Sequence, residues 1–346
     1  MRLSELGEFA LIERIRKITP RGRGVFLGIG DDAAWAKAEG NLLLTSDLLI
    51  EKIHFDLRWT SYYDLGHKTL AVNLSDLAAM GGVPDYLMLS LGLPVDFQVK
   101  DVEQFYRGIG KLASRSGVAL VGGDLSASER FFISAFLIGH AVNGPVTRGG
   151  ASVGDELYVT GTLGDSSLGL HLLKTSKGKG RDSRVNYLKN RHLLPTPRLK
   201  AGATLAKERL ARAMIDVSDG LLQDLGHLCR ASGTGAVIWR EALPLSPAYR
   251  LLCGRNGHRR ALGGGEDYEL LFSIRPRDRT RLERVRSRLG VPVTHIGRCV
   301  PAGQGIRVTD VHGTRLPLSP LGYDHFKSHA GSRTRGKSRP HGGNAP

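Results

Sequence analysis

Six aspartates stand beside glycines or at the ends of strand-like segments, and this recurring placement is the first chemical feature of the sequence. They are Asp32, Asp47, Asp76, Asp124, Asp216 and Asp219. Each alone has an ordinary structural explanation, because aspartate and glycine are common turn residues and aspartate caps helices. Gathered in one place without cations, such carboxylates would repel one another until several became protonated. Magnesium removes this penalty, because it binds a few carboxylate oxygens and completes its shell with water and substrate phosphates.

Several magnesium ions with little other machinery are typical of phosphoryl transfer from ATP, in which the protein positions the reactants and neutralises charge. The sequence contains neither GxxxxGK[ST] nor the set of protein-kinase motifs. The segment GTLGDSS at 161–167 could offer helix N-terminal amides to a phosphate, but a capping turn explains it equally well. The sequence therefore predicts an ATP-using enzyme of a different architecture.

Strands and helices in the first half of the chain must position the aspartates that come early in the sequence. The strand-like run 42–44 is expected to break into the polar triplet 45–47, which ends in Asp47. Apolar residues at three- and four-residue spacing over 70–78 predict a helix that carries Asp76 among its core positions. A buried carboxylate there needs a partner, and the residues leave a metal ion and an arginine as open alternatives.

Three later aspartates follow the same design. Asp124 comes after two glycines at the expected end of a short strand, where a side chain can point into a ligand crevice. Asp216 lies inside the next acid-bearing strand, and Ser218 or Asp219 is a natural N-cap for a helix over 221–230. Capping accounts for Asp219 and leaves Asp216 unexplained.

A chain of 346 residues is long enough for two domains, each with its own core. Strands and helices alternate on both sides of a glycine-rich connector, TRGGASVGDE, which starts at residue 147. We therefore predict an α/β (α+β) protein with domains at 1–146 and 150–326 and a basic, disordered tail at 327–346.

The net charge of +16 raises the question of a nucleic-acid partner. Residues 327–346 hold five basic residues and no acid (+5), and residues 174–191 hold seven against one acid (+6). Because both segments are poor in apolar residues, we expect a mobile loop and a disordered tail, and we assign the excess charge to these appendages and not to a folded basic face. Nucleic acid is not predicted as a main partner.

The compartment is predicted from cysteine usage and hydropathy. Three cysteines lie far apart, without zinc-ligand spacing, which is typical of a reducing compartment. No stretch approaches the roughly 18 apolar residues that span a bilayer, and the N-terminus has the charge pattern of an amphipathic helix. A cytoplasmic protein without a membrane partner is expected.

Several blocks occur in order along the chain: GIGDDAA, TSDLLIEKIHFD, KTLAVNLSDLAAMGG, VGGD, IDVSDGL, GGGEDYELLF and GYDHF. In this order and at these intervals they resemble the thiamine-monophosphate kinase family, within the superfamily that contains aminoimidazole ribonucleotide synthetase. The resemblance covers residues 3–326. It implies phosphorylation of thiamine monophosphate (TMP) by ATP to thiamine diphosphate, by direct transfer without a phosphoenzyme. It also implies an aminoimidazole ribonucleotide synthetase-like fold of two α/β domains whose N-terminal domain forms a homodimer, with ATP bound near that interface.

The resemblance further implies three groups of site residues. Positions matching the family's magnesium ligands are Asp32, Thr45, Ser46, Asp47, Asp76, Asp124, Asp216 and Asp219. Positions matching its ATP contacts are Tyr106, Gly123, Asp124, Arg148 and Ser218. Positions around the thiamine moiety are His54, Glu266 and Tyr323. Several Mg²⁺ ions are implied as cofactors, with Asp32, Asp47, Asp76 and Asp124 assisting the transfer and no side-chain nucleophile.

One departure bears on nucleotide binding. The family usually continues GGD as TTRG, whereas here Asp124 is followed by 125–128, LSAS, which lacks the threonine hydroxyls and the arginine. This puts ATP affinity in question more than the reaction type. Two alternatives stay open at this point: another ATP-dependent enzyme of the superfamily, and a nucleotide-binding scaffold that has lost catalysis.

Overall fold

Two β-sheets organise the chain, a four-stranded sheet in its first half and a six-stranded sheet in its second. The computed structural model describes residues 5, 8–19, 25–27, 35–38, 40–175, 182–254 and 257–316. We call the elements between Glu8 and Ala141 the N-lobe and those between Glu156 and Thr309 the C-lobe. The mixture of helices and sheets confirms the predicted fold class.

The N-lobe consists of helices packed on a mixed sheet. Its described elements are α1 (Glu8–Ile18), β1 (Val25–Leu27), β2 (Trp35–Ala36), β3 (Asn41–Ile50), α2 (Tyr62–Ala79), β4 (Gly82–Leu93), α3 (Val99–Ser116), β5 (Ala119–Ala127) and β6 (Phe132–Ala141). Strands β1 and β2 pair with each other, and the larger sheet has the order β3-β6-β4-β5. Strand β6 is antiparallel to β3 and β4, whereas β4 and β5 are parallel and are joined through α3, as a parallel pair requires.

Helices α2 and α3 cover one face of this sheet. Leu70 and Leu74 of α2 and Phe105 of α3 are fully buried against Leu89 and Ile133 of the sheet. The opposite face is open in the single chain and carries exposed apolar side chains. These are Leu42, Leu44, Leu48, Met88 and Phe136. The alternation of buried and exposed positions along β3 follows from the two-residue repeat of a strand.

The C-lobe has helices on both faces of its sheet. Its described elements are β7 (Glu156–Thr160), α4 (Asp165–Thr175), α5 (Ser183–Leu193), α6 (Leu199–Lys207), β8 (Ala213–Asp216), α7 (Leu221–Ser232), β9 (Thr234–Trp239), α8 (Pro247–Leu252), α9 (Gly257–Gly263), β10 (Leu270–Ile274), α10 (Arg279–Val285), β11 (Val293–Pro301) and β12 (Ile306–Thr309). The strand order is β12-β9-β11-β7-β10-β8, antiparallel except for the β12–β9 pair. Helix α7 packs on one face, and α6 and α10 pack on the other.

The two lobes share a core at the C-terminal end of α2. Ala78 and Ala79 of α2 belong to the same buried apolar cluster as Leu205 of α6 and Phe272 of β10. A Cβ atom built on Gly202 of α6 would lie 2.0 Å from the carbonyl oxygen of Ala78, so only glycine permits this approach. The lobes are therefore held together by close helix packing next to Asp76.

Two strand ends differ from the sequence prediction. Strand β3 does not break at residues 45–47 but continues to Ile50, paired with β6 along its whole length. Strand β5 does not end before Gly122 but runs through Asp124 to Ala127, paired with β4. Both predictions were wrong because a neighbouring strand satisfies the backbone of polar and glycine residues that would form turns on their own.

The predicted loop at 174–191 is also wrong in part. Residues 183–193 form α5, which Asp182 caps by accepting a hydrogen bond from the Arg184 amide at 2.8 Å, and whose Leu188 is fully buried. Residues 176–181 and the tail at 327–346 lie outside the described residues.

The basic excess is not confined to the appendages. Residues 275–288, which include α10, hold seven arginines against two acids (+5) on described structure. Several are paired: Arg279 with Glu156, and Arg286 with Glu283 at 2.9 Å. A folded basic surface therefore exists, in contrast to the sequence prediction. No helix in the described part of the chain is long and apolar enough to cross a membrane.

Candidate active site

Three aspartates from three different elements meet where the lobes adjoin. Asp47 lies on β3, Asp76 in the last turns of α2, and Asp216 at the end of β8. Burial, followed by the charge of Asp76, raises the pKa of Asp47 to about 7. Burial, followed by the charges of Asp76 and Asp47, raises the pKa of Asp216 to about 7. This mutual repulsion places the three carboxylates within electrostatic reach of one another.

Two hydroxyl groups bind these carboxylates. Thr45 Oγ1 donates to Asp76 Oδ2 at 2.5 Å, and Ser75 Oγ donates to Asp216 Oδ2 at 2.8 Å. Thr45 and Asp47 are two residues apart on β3 and therefore point to the same side of the sheet. Ser75 and Asp76 are neighbours on α2, so this helix contacts the acids of both lobes.

A cavity of about 470 Å³ opens beside these acids and is lined by Thr45, Asp76, Arg148 and Asp216. Burial raises the pKa of Asp76, and the Thr45 hydrogen bond and the positive charge of Arg148 oppose that rise. The exposed Arg148 therefore lies on the open side of the acid group. Carboxylates opposite an arginine suit a ligand that carries both metal ions and phosphates.

The loop after β8 is organised by an acid that the sequence analysis missed. The predicted N-cap, Ser218 or Asp219, is wrong: α7 begins after Gly220, which makes no side-chain cap. The carboxylate of Asp224 in the first turn instead accepts from the amides of Asp219 and Gly220, at 3.1 and 3.0 Å. Burial and the charges of Asp216 and Asp219 raise the pKa of Asp224 to about 8. In the sequence, this acid could have been found as an aspartate three positions after the first helical residue, Leu221.

Glu266, expected near thiamine, lies in a second group of polar residues between the lobes. Its Oε1 lies 2.7 Å from Nζ of Lys68 on α2, and its Oε2 lies 3.1 Å from Nδ1 of His192 on α5. His54 is also near enough for its charge to lower the pKa of Glu266. Lys68 and His192 were not singled out from sequence, because each occupies an ordinary helical position.

The structure does not bring Ser46, Gly123 and Asp124 to the three-aspartate group within one chain. Ser46 stands opposite Phe136 and Asp124 opposite Ser90, so both point to the open face of the N-lobe sheet. Asp47 lies on the other face and on the opposite edge strand, with β6 and β4 between β3 and β5. Their roles stay predictions.

Tyr106 lies inside the N-lobe core, with 3% of its surface exposed and its ring 5.5 Å from that of Phe105. Ser218 is half-buried, and its carbonyl accepts a hydrogen bond from the amide of Glu266 at 2.7 Å. This bond connects a residue predicted to contact ATP with one predicted to contact thiamine. Asp32 and Tyr323 lie outside the described residues.

Two amides of the glycine-rich turn at 161–167 are bonded within the protein and are not open to a phosphate. The buried carboxylate of Asp267 accepts from the amides of Gly164 and Ser166, at 2.6 and 3.1 Å. Of the two interpretations that the sequence left open, the capping turn is confirmed, with the cap supplied from a distant loop.

Asp76, Asp216 and Thr45 bring carboxylate and hydroxyl oxygens to the cavity, and these are the ligands that Mg²⁺ prefers. Over the described ranges, no group of three or more His, Cys, Asp or Glu is arranged to hold a metal ion. The predicted ligand Asp32 lies outside those ranges. The chemistry of the described residues thus fits magnesium, although they do not form a closed metal site.

Comparison with known proteins identifies the family. The profile described as AIR synthase related protein, N-terminal domain, matches residues 30–141, and its C-terminal counterpart matches residues 152–310. Thiamine-monophosphate kinase of Aquifex aeolicus is 40% identical over 330 residues, covering 94% of this chain and 100% of the relative. The chain belongs to the thiamine-monophosphate kinase family. The Bacillus subtilis member is 33% identical over 327 residues, covering 93% of this chain and 100% of the relative.

Solved structures of the family have the same fold. The thiamine-monophosphate kinase from Stenotrophomonas maltophilia K279a is 40% identical, with a TM-score of 0.79, and the match covers 88% of this chain and 96% of that one. AaThiL complexed with AMPPCP and TMP is 39% identical, with a TM-score of 0.74, covering 94% of this chain and 99% of that one. The predicted resemblance is thereby confirmed.

Proposed function

We propose that this chain transfers the γ-phosphoryl group of ATP to the phosphate of TMP, giving thiamine diphosphate and ADP. The observation that carries the proposal is the group of Asp47, Asp76 and Asp216, of which Asp76 and Asp216 line one cavity together with Arg148, in a chain of this family. Family members carry this kinase name, and AaThiL was solved with AMPPCP and TMP.

The acceptor in this reaction needs no catalytic base. A phosphate monoester has a second pKa near 6, so an anionic oxygen is present at neutral pH. This oxygen attacks the γ-phosphorus, the bond to the bridging oxygen breaks, and ADP takes that electron pair. The work left to the protein is to hold two anions in line, and Arg148 supports this by offsetting phosphate charge.

Magnesium is part of the proposal, with Asp47, Asp76 and Asp216, which lie together, as its first ligands and Asp32, Asp124 and Asp219 as further ones. Bound Mg²⁺ would neutralise phosphate charge and align the oxygens of the two substrates. Thr45 and Ser75 orient two of the carboxylates through their hydrogen bonds. We further propose that Ser218 contacts ATP and that Glu266, His54 and Tyr323 surround thiamine.

We also propose that the chain acts as a homodimer in the cytoplasm. The open face of the N-lobe sheet exposes Leu44 by 58% and Leu42 and Leu48 by 50% each. A large exposed apolar patch of this kind marks an interaction surface. Pairing two such faces would bury these side chains and place Ser46 and Asp124 at the interface.

An acceptor comparison tests this function. The protein is incubated with ATP, Mg²⁺ and, in parallel, TMP, free thiamine or the formylglycinamidine precursor of aminoimidazole ribonucleotide. We expect thiamine diphosphate from TMP and no product from the other two acceptors. Turnover of the aminoimidazole precursor would instead establish the other superfamily activity. Binding of ATP without turnover of any acceptor would establish the scaffold alternative.

A further inference from the structure

The carboxylate of Glu266 is held by groups from two other elements. Lys68 reaches it from α2 in the N-lobe, and His192 reaches it from α5 in the C-lobe. Only 2% of the Lys68 side chain is exposed, and 29% of that of Glu266. A buried ammonium is costly unless an anion lies against it, so these two charges depend on each other.

His192 places a ring nitrogen beside the same carboxylate. Burial, followed by the charge of Lys68, lowers the pKa of His192 to about 4, so its imidazole is neutral at pH 7. Nδ1 of this ring lies 3.1 Å from Glu266 Oε2, and a proton on this nitrogen would favour the ionised carboxylate, which can only accept hydrogen bonds. Ser166 Oγ lies 3.1 Å from the same nitrogen. This arrangement fixes the imidazole beside Glu266 Oε2.

The backbone of Glu266 is constrained as well. Its φ of 66° is in the left-handed region, which a non-glycine residue adopts only when its surroundings hold it there. Its amide donates to the Ser218 carbonyl at 2.7 Å, and the Tyr268 amide donates to the Val217 carbonyl at 2.9 Å. The loop that carries Glu266 is thus attached to the loop that follows Asp216.

Helix α2 links these two loops. Lys68 and Ser75 are seven residues apart and lie on one side of the helix, about two turns from each other. Lys68 binds Glu266, and Ser75 donates to Asp216 at 2.8 Å. One side of α2 therefore contacts both the expected thiamine residue and the three-aspartate group.

We propose that Lys68 and His192 are positioning residues that hold Glu266 ionised and oriented toward the thiamine moiety, and so determine the affinity for TMP. The inference rests on the proposed function. The thiamine moiety carries a cationic thiazolium ring and an aminopyrimidine whose amino group donates hydrogen bonds. An ionised, fixed carboxylate complements both, whereas a protonated or freely rotating one does not.

Steady-state kinetics of Lys68 variants test the proposal. We expect Lys68→Met to raise the KM for TMP at least tenfold, while the KM for ATP changes less than twofold and kcat less than threefold. Lys68→Arg keeps a cation and should recover most of the TMP affinity. Lys111→Met, which removes an exposed lysine of α3, is the matched control and should behave as the parent protein.

A double-mutant cycle with Glu266→Gln separates positioning from a structural role. If Lys68 acts through Glu266, the double variant should have a KM for TMP close to that of Glu266→Gln alone, because the second change has nothing left to position. If the KM for TMP of the double variant were instead raised by the product of the two single effects, the proposal would be contradicted. So would an unchanged KM for TMP in Lys68→Met.

His192 offers an independent test should Lys68→Met fail to fold. The amide nitrogen of asparagine can take the place of Nδ1, so His192→Asn should keep the KM for TMP within threefold. His192→Leu removes the nitrogen beside Glu266 and should raise the KM for TMP at least fivefold. Equal KM values for these two variants would overturn the role of His192.

The pH dependence adds a readout that a packing defect would not change. Burial raises the pKa of Glu266, but Lys68 and then His192 oppose it, and the net pKa lies below the usual value. Lys68, His192, His54 and Tyr268 are the titratable groups that interact with this carboxylate. Without Lys68 the pKa of Glu266 rises, so the ratio of the KM for TMP of Lys68→Met to that of the parent should increase as pH falls from 8 to 6. Taking the ratio removes the protonation of TMP itself, whose phosphate has a second pKa near 6 and affects both proteins equally.

The activity of the parent protein distinguishes failure of the proposed function from failure of the positioning role. If it forms no thiamine diphosphate, the proposed function fails and the variants are uninformative about kinetics. If it is active and Lys68→Met retains the parental KM and pH profile, only the positioning role fails.

Discussion

At the residue scale, the central feature is a set of carboxylates that destabilise one another when no cation is bound. Asp216 is buried, Asp47 and Asp76 are partly buried within reach of it, and the pKa of each is raised. Thr45 and Ser75 offset part of this cost with one hydrogen bond each. A protein keeps such an arrangement when the acids bind a ligand that the fold itself does not supply.

Asp47→Asn tests the functional side of this reasoning. The amide keeps the size of the side chain but removes the negative charge, so phosphate-bound metal should lose a ligand. We expect turnover of TMP to fall at least 100-fold, with an unchanged circular dichroism spectrum. Turnover within threefold of the parent would contradict the role of Asp47.

The same variant should be more stable than the parent in metal-free buffer. The pKa of Asp47 is raised to about 7 in the folded state, so its contribution to stability is present below the unfolded pKa near 4 and is lost as pH rises through 7. An asparagine at position 47 does not titrate, so the variant does not lose stability in this way as pH rises. Thermal unfolding at pH 5 and pH 8 should give a larger excess stability of Asp47→Asn at pH 8. An equal or smaller excess at pH 8 would show that repulsion is unimportant.

At the element scale, the decisive contact is the packing of α6 against the end of α2, which sets Asp76 beside Asp216. In an isolated helix Gly202→Ala would stabilise by about 1 kcal/mol. Here the added Cβ would lie 2.0 Å from the Ala78 carbonyl oxygen. We therefore expect Gly202→Ala to lower the free energy of unfolding by about 1–3 kcal/mol in urea titrations.

Gly303→Ala is the control for this change, because a Cβ built there meets nothing within 4 Å. It should change the free energy of unfolding by less than about 0.5 kcal/mol. Equal effects of the two alanines would show that the α2–α6 contact is not tight.

The sequence predicted elements well where periodicity decided them and poorly where pairing decided them. The helices predicted over 70–78 and 221–230 were confirmed as parts of α2 and α7. Strands β3 and β5 were cut short at polar and glycine residues, because the neighbouring strands that pair with them cannot be read from a local pattern. Leu125, which departs from the family motif, packs against the N-lobe core from β5.

For the site, three of the six acids singled out from the sequence, Asp47, Asp76 and Asp216, lie together in the structure. The residues that hold the site in place were not predicted. Lys68 could not be found this way, because a lysine in an amphipathic helix usually faces water. Only the packing of the two lobes shows that it is buried against Glu266.

At the scale of the whole molecule, the open face of the N-lobe sheet predicts self-association. Leu44→Glu places a charge in the middle of the exposed apolar patch and should convert a dimer to a monomer in light scattering. Val311→Glu, at a residue that is 70% exposed two positions after β12, is the control and should leave the mass unchanged. A parent protein that is monomeric at micromolar concentration would contradict the dimer.

The central claim is direct transfer from ATP to TMP, and the most direct test follows the phosphorus atom. The protein is incubated with Mg²⁺, TMP and ATP labelled with ³²P at the γ-position, and samples are separated for nucleotides, thiamine phosphates and protein. We expect the label in the β-phosphate of thiamine diphosphate, equal in amount to the ADP formed, and none on the protein. Label bound covalently to the protein before it reaches product, or no labelled thiamine diphosphate at all, would contradict this account.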